Sequence, residues 1–156
     1  MSAAAAEMPA HQEEQSVHHM YVTMRIDQQL FGISVRHVRD VLRSQKITPI
    51  PLAPPEVAGS LNLRGRIVTV FDVRKRLRLP LSAGPFEKCM FVVVEYKGEL
   101  FSLIVDSVGE VLTASANKIE KTPANISGSW KEVASGIYKM PDELLVIIDI
   151  ETLLTL

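Results

Sequence analysis

Apolar positions along this chain come in short bursts separated by polar pairs, at spacings too tight for the stripe of a long helix. The stretch YVTMRIDQQLFGISV (21–35) reads as strand, turn at Gln28-Gln29, strand, and FVVVEYKGELFSLIV (91–105) repeats the pattern about Lys97-Gly98. A third hairpin is predicted across GSLNLRGRIVTVFD (59–72), with Gly65 at a turn or bulge, and a fourth closes on Pro141-Asp142. Brief helical patterns follow at 73–79 and 150–156, where Asp72 and Asp149 stand ready to cap the first turn. Between strands, KITPIPLAPPE (46–56) holds four prolines, each fixing φ and removing a backbone donor, which predicts a stiff extended crossover.

Laid on itself, the chain repeats. Residues 21–42 align without gaps on 91–112, with Val22, Leu30, Phe31, Val35, Val38, Val41 and Leu42 recurring as identities. Residues 59–79 align on 136–156, pairing Gly59 with Gly136, Asp72 with Asp149 and Leu77 with Leu154. The same order of matches in both halves argues for an internal duplication. Two short-stranded halves with little helix predict a mainly β fold of two small packed barrels. The expected organisation is a disordered tail over 1–18 and a body over 19–156, split into interleaved halves of roughly 19–85 and 86–156.

At 156 residues the chain is long enough to bury a core without staples, and its single cysteine, Cys89, opens an apolar stretch as a buried thiol would. No run approaches the ~18 apolar residues of a membrane span, and the first seventeen residues carry Glu7, Glu13 and Glu14 without a signal-peptide core, so a cytoplasmic protein is expected. Net charge is only −1, yet all nine arginines fall within 25–78, a block with eleven basic and four acidic residues. The remainder holds six basic against fourteen acidic residues, and such polarity suits two different partners or head-to-tail association.

Catalytic signatures are missing: no phosphate loop, no His-Glu-x-x-His pair and no nucleophile elbow. Three of the four histidines lie in or beside the tail, where His18 and His19 lack further metal ligands, and His37 has Ser107 as its repeat counterpart. Neither an enzyme, a metal site nor a cofactor is expected. Nucleic-acid binding would draw on DVRKRLRL (72–79), but aromatics are few, and Tyr21, Phe31 and Phe71 sit at core-facing strand positions. With Val73, Leu77 and Leu79 as a buried stripe, Arg74, Lys75, Arg76 and Arg78 read as ordinary exposed residues, and no nucleic-acid partner is expected.

Four segments, taken in order, resemble the CheW family of chemotaxis coupling proteins: FGISVRHVRDVLR (31–43), the block at 47–77 with proline crossover and Asn-Leu-Arg-Gly, VVEYKGELFSLIVDSVGEVL (93–112) and ELLVIIDIETLL (143–154). The resemblance implies two SH3-like five-stranded β-barrels and a non-catalytic adaptor, a free-standing one since the chain carries no kinase, receiver or phosphotransfer segment. Such adaptors link the cytoplasmic tip of methyl-accepting chemoreceptors to the regulatory domain of the histidine kinase CheA, alongside other CheW-like subunits in membrane-associated arrays. No direct membrane insertion is implied. By the same resemblance, receptor contact falls on Val38, Asp40, Gly59, Asn62, Arg64 and Gly65, and kinase contact on Val108, Val111 and Leu112. Asp40 departs from the family's more frequent glutamate, the N-terminal tail is atypical, and many relatives extend beyond the position of Leu156 in a helix. These departures leave a specialised paralogue of a non-flagellar chemosensory system as the alternative.

Overall fold

The computed structural model describes residues 17–80, 88–124 and 128–155. Most of the expected tail therefore lies outside the described residues, although His18, its last residue, already pairs with Ser115 in the first strand. The strands are β1 (His18–Ile26), β2 (Gln29–Ser34), β3 (Val38–Arg43), β4 (Val57–Leu63), β5 (Arg66–Asp72), β6 (Met90–Tyr96), β7 (Glu99–Val105), β8 (Ser107–Ser115), β9 (Ile119–Glu120), β10 (Ala134–Lys139) and β11 (Leu144–Ile148). Helices α1 (Val73–Arg76) and α2 (Ile150–Leu154) are shorter than their apolar patterns promised, but each is capped as expected. The Asp72 carboxylate accepts from the Lys75 amide and that of Asp149 from the Glu151 amide. The first turn falls on Asp27 and Gln28, both at positive φ, one residue before the expected pair.

Two sheets form, with strand orders β8-β1-β2-β11-β10-β9 and β3-β6-β7-β5-β4, each curled over its own small apolar cluster. The duplication is visible in the register. Val38 of β3 faces Val94 of β6 and Val108 of β8 faces Met24 of β1, with a bulge beside each pair. Gly59 faces Val70 across β4–β5, and Gly136 faces Ile147 across β10–β11, again each beside a bulge. The repeats exchange their third strands: β3 leaves β1–β2 to pair with β6, and β8 leaves β6–β7 to pair with β1. The expected boundary near residue 85 thus separates sequence repeats and not sheets, because β3 to β7 all lie in one sheet. That barrel is inserted between β2 and β8 of the other. Two-residue β9 makes the sheet containing β1 six-stranded; its counterpart in the five-stranded sheet is a single bridge, Thr48 to Ser60.

Central strands bury both faces. In β6, Phe91 and Val93 point into the five-stranded barrel while Val92 and Val94 point out of it. The outward set meets Val22, Met24, Ile26, Phe31, Ile33, Val146 and Ile148 of the other sheet, forming a seventeen-residue cluster between the barrels. Pulling the barrels apart would return this whole apolar layer to water, so the two halves are held together by a core they share. Cys89, Tyr21, Phe31 and Phe71 are buried as expected.

The basic segment after β5 differs from its sequence reading. Arg74, only 14% exposed, holds the Asp106 carboxylate through two nitrogens at 3.1 and 2.6 Å and donates to the Pro80 carbonyl. Asp106 is the residue at which the chain crosses from one sheet to the other. Arg76 donates to the Leu153, Thr152 and Thr155 carbonyls, closing the C-terminus of α2. Two of the four cations read as plain surface are therefore internal clamps, while Lys75 and Arg78 are exposed.

Candidate functional site

A two-residue turn sets the first site. Arg64 (φ 52°) and Gly65 (φ 86°) both take positive φ, the twist that closes a tight hairpin between β4 and β5. The Asn62 carboxamide oxygen accepts from the Gly65 amide at 2.9 Å, holding the turn, so Asn62 does local work. Arg64 projects from it with its side chain 80% exposed, and one guanidinium nitrogen lies 3.4 Å from Asp40 on β3, the strand at the other edge of the same sheet. Asp40 sits just beyond the β3 bulge and also accepts from the Val41 amide at 2.8 Å. An exposed pair of this kind contributes about 0–1 kcal/mol to stability, so it orients a side chain and does little to hold the fold.

These residues open onto a groove of about 240 Å³ floored by Leu63, Val93 and Leu100 and rimmed by Arg39, Glu95 and Arg66. Of the expected receptor-facing residues, Asp40 and Arg64 line it, and Asn62 and Gly65 build its turn. Val38 packs inward, beside the core between the barrels. Gly59 is buried at φ 148°, and a Cβ there would stand 2.3 Å from the Thr48 carbonyl oxygen, so its role is to let the proline crossover lie against β4.

A second groove, of about 280 Å³, contains all three expected kinase-facing residues, Val108, Val111 and Leu112. Val111 is 51% exposed, whereas Val108 and Leu112 are half-buried over apolar clusters. Leu30 and Met140 extend the apolar lining. At one end the Arg25 guanidinium bonds both Glu143 carboxylate oxygens, at 3.0 and 2.7 Å. That contact lowers the Glu143 pKa and raises that of Arg25.

The two grooves are one site built twice. Shifting the numbering by the repeat offsets carries Asp40 to Glu110, Leu63 to Met140, Arg66 to Glu143, Val93 to Thr23, Glu95 to Arg25 and Leu100 to Leu30. All six counterparts line the second groove. The sequence reading reached Asp40 and Arg64 and the valines of β8, but missed Arg66, Glu95, Arg25 and Glu143. The repeat alignment already paired them. Their charges looked like solvated decoration until the groove brought them together. No cluster of metal-binding side chains occurs among the described residues, and none of their helices is long and apolar enough to cross a membrane.

Residues 20–156 match the CheW-like domain family. The chain is 28% identical to chemotaxis protein CheW of Treponema pallidum over 135 residues, covering 85% of this chain and 79% of that one. It is 32% identical to chemotaxis protein CheW of Bacillus subtilis over 124 residues, covering 80% and 79% respectively. The crystal structure of the scaffolding protein TtCheW from Thermoanaerobacter tengcongensis superposes with a TM-score of 0.81 at 29% identity, over 90% of this chain and 94% of that one. With an internally duplicated two-barrel body matched along nearly its whole length, the chain belongs to the CheW-like domain family, the chemotaxis adaptors.

Proposed function

We propose that this adaptor couples chemoreceptors to a CheA-type histidine kinase by holding one partner at each groove. The groove between β3 and the β4–β5 turn receives the receptor's cytoplasmic tip, with Arg64 as the presented cation and Asp40 as its guide. The groove beside β8 receives the kinase regulatory domain on Val108, Val111 and Leu112. One observation supports the reading: duplicated elements build two equivalent grooves, with Asp40 and Arg64 lining one and Val108, Val111 and Leu112 lining the other. Nothing in either groove resembles a reaction centre, so the protein acts by holding partners together, in the cytoplasm at receptor arrays.

The test is a double dissociation. Arg64→Ala removes an exposed side chain, so it should stay folded, bind kinase and lose receptor binding and receptor-dependent kinase control. Val108→Glu should do the reverse, since a charge at an apolar contact commonly costs 2 kcal/mol or more of binding. Co-purification of each variant with kinase and with receptor fragment, checked by circular dichroism for folding, reads both. Normal receptor affinity in folded Arg64→Ala protein would sink the assignment of the first groove.

A further inference from the structure

The two grooves share a plan but not a sign. In the first, Arg39 pairs with Glu95 at 3.3 Å and Arg64 with Asp40 at 3.4 Å. Arg66 is left over. It reaches only the Gly98 carbonyl, at 3.4 Å, and forms no ion pair among the described residues. In the second groove the Arg66 counterpart, Glu143, is paired with Arg25, the counterpart of Glu95. The same two positions thus carry opposite charges in the two copies. What is left over there is Glu110, exposed and in no ion pair among the described residues. One groove keeps an uncompensated cation and the other an uncompensated anion, on similar apolar floors.

We propose that Arg66 is a specificity-determining residue: its uncompensated guanidinium makes the first groove select a carboxylate-bearing polypeptide segment, which the duplicated groove refuses through Glu110. The idea deepens the receptor reading by stating the chemistry of the occupant. Shape alone does not separate two grooves of about 240 and 280 Å³ formed by equivalent strands. Charge does, because an acidic segment meets attraction at one and repulsion at the other. Arg66 is exposed at the hairpin end, so the one internal contact at stake when a partner takes it is the long 3.4 Å bond to the Gly98 carbonyl.

The experiment titrates the full, 15N-labelled chain with a synthetic amphipathic helical peptide bearing glutamates four residues apart, and with its glutamine analogue. The glutamate peptide is expected to shift the amides of Leu63 to Arg66 and Leu100 while those of Glu110, Met140 and Glu143 stay in place. Arg66→Glu should weaken this binding at least tenfold at low salt, and Arg66→Lys should keep most of it. In 0.5 M salt the advantage of the glutamate peptide should vanish, as screening requires. Equal shifts in both grooves, equal affinity of the two peptides, or unchanged affinity in Arg66→Glu would each overturn the proposal. Peptide binding at the first groove with no receptor fragment bound there would defeat the receptor reading alone. The converse would defeat the charge selection alone.

Discussion

Gly59→Ala places a methyl group where the crossover strand already stands. The added carbon would lie 2.3 Å from the Thr48 carbonyl oxygen, 2.6 Å from the Ile47 Cγ2 and 2.9 Å from the Thr48 carbonyl carbon. Two of those atoms are backbone, so relief requires lifting the crossover off β4. Lifting it breaks the reciprocal bonds between Thr48 and Ser60, both 2.8 Å, at about 0.5–1.5 kcal/mol each. Holding alanine at φ 148° adds about 1–3 kcal/mol of backbone strain. The expected loss is about 2–6 kcal/mol, or roughly 10 °C in midpoint for the middle of that range at about 2–4 °C per kcal/mol for a chain of this size. Urea unfolding followed by circular dichroism measures it, with Gly98→Ala as the control. Gly98 also has positive φ (80°) but open space around its missing Cβ, so that variant should lose only about 1 kcal/mol. Equal losses in the two variants would refute the argument, because strain alone would then explain both. The resemblance attached receptor contact to Gly59; any binding defect in this variant is expected to follow the displaced crossover, restored by no change on the partner.

Ser102 is fully buried inside the five-stranded barrel, and its hydroxyl has no hydrogen-bond partner among the described residues, so Ser102→Ala should raise stability by about 1 kcal/mol in the same urea assay. The Glu143 carboxylate, held below its ordinary pKa by the Arg25 guanidinium, contributes stability that is present above the unfolded carboxylate value and lost as pH falls through the lower folded one. The stability gap between wild type and Glu143→Gln should therefore be constant at neutral pH and close on acidification below the ordinary carboxylate value of 4.5; a gap that persists there would refute the pairing.

Apolar runs such as CMFVVVEY and ELLVIID announced strands, but not which faces were buried, because both are. Alternation disappears when Val92 and Val94 pack between barrels and Phe91 and Val93 inside one. Duplication was legible, since its register depends on residues that recur. The exchange of β3 and β8 was not, because Val38 and Val108 carry the same local pattern whichever sheet receives them. Arg74 and Arg76 were read as surface because a local stripe shows neither Asp106 nor the end of α2, 32 and 76 or more residues away. Arg64 stood out through its Asn-Leu-Arg-Gly turn. Arg66 needed the groove, where both carboxylates, Asp40 and Glu95, are paired with other arginines and its charge is left over.

The inserted barrel also sets a timetable for synthesis. Its strands, β3 to β7, emerge as one uninterrupted run and contain every partner they need for their own sheet. The outer barrel begins first and finishes last: β2 waits for β11, its parallel neighbour and the last strand of the described chain. Until then Phe31 has only Met24 of β1 across from it, and the layer between the barrels lacks Val146 and Ile148. Such long-range pairing folds slowly, and domains ordinarily fold as they leave the ribosome. Here the layer between the barrels is completed only when Val146, Ile148, Ile150 and Leu153 emerge, so a chain cut short before β11 would leave part of that apolar layer exposed.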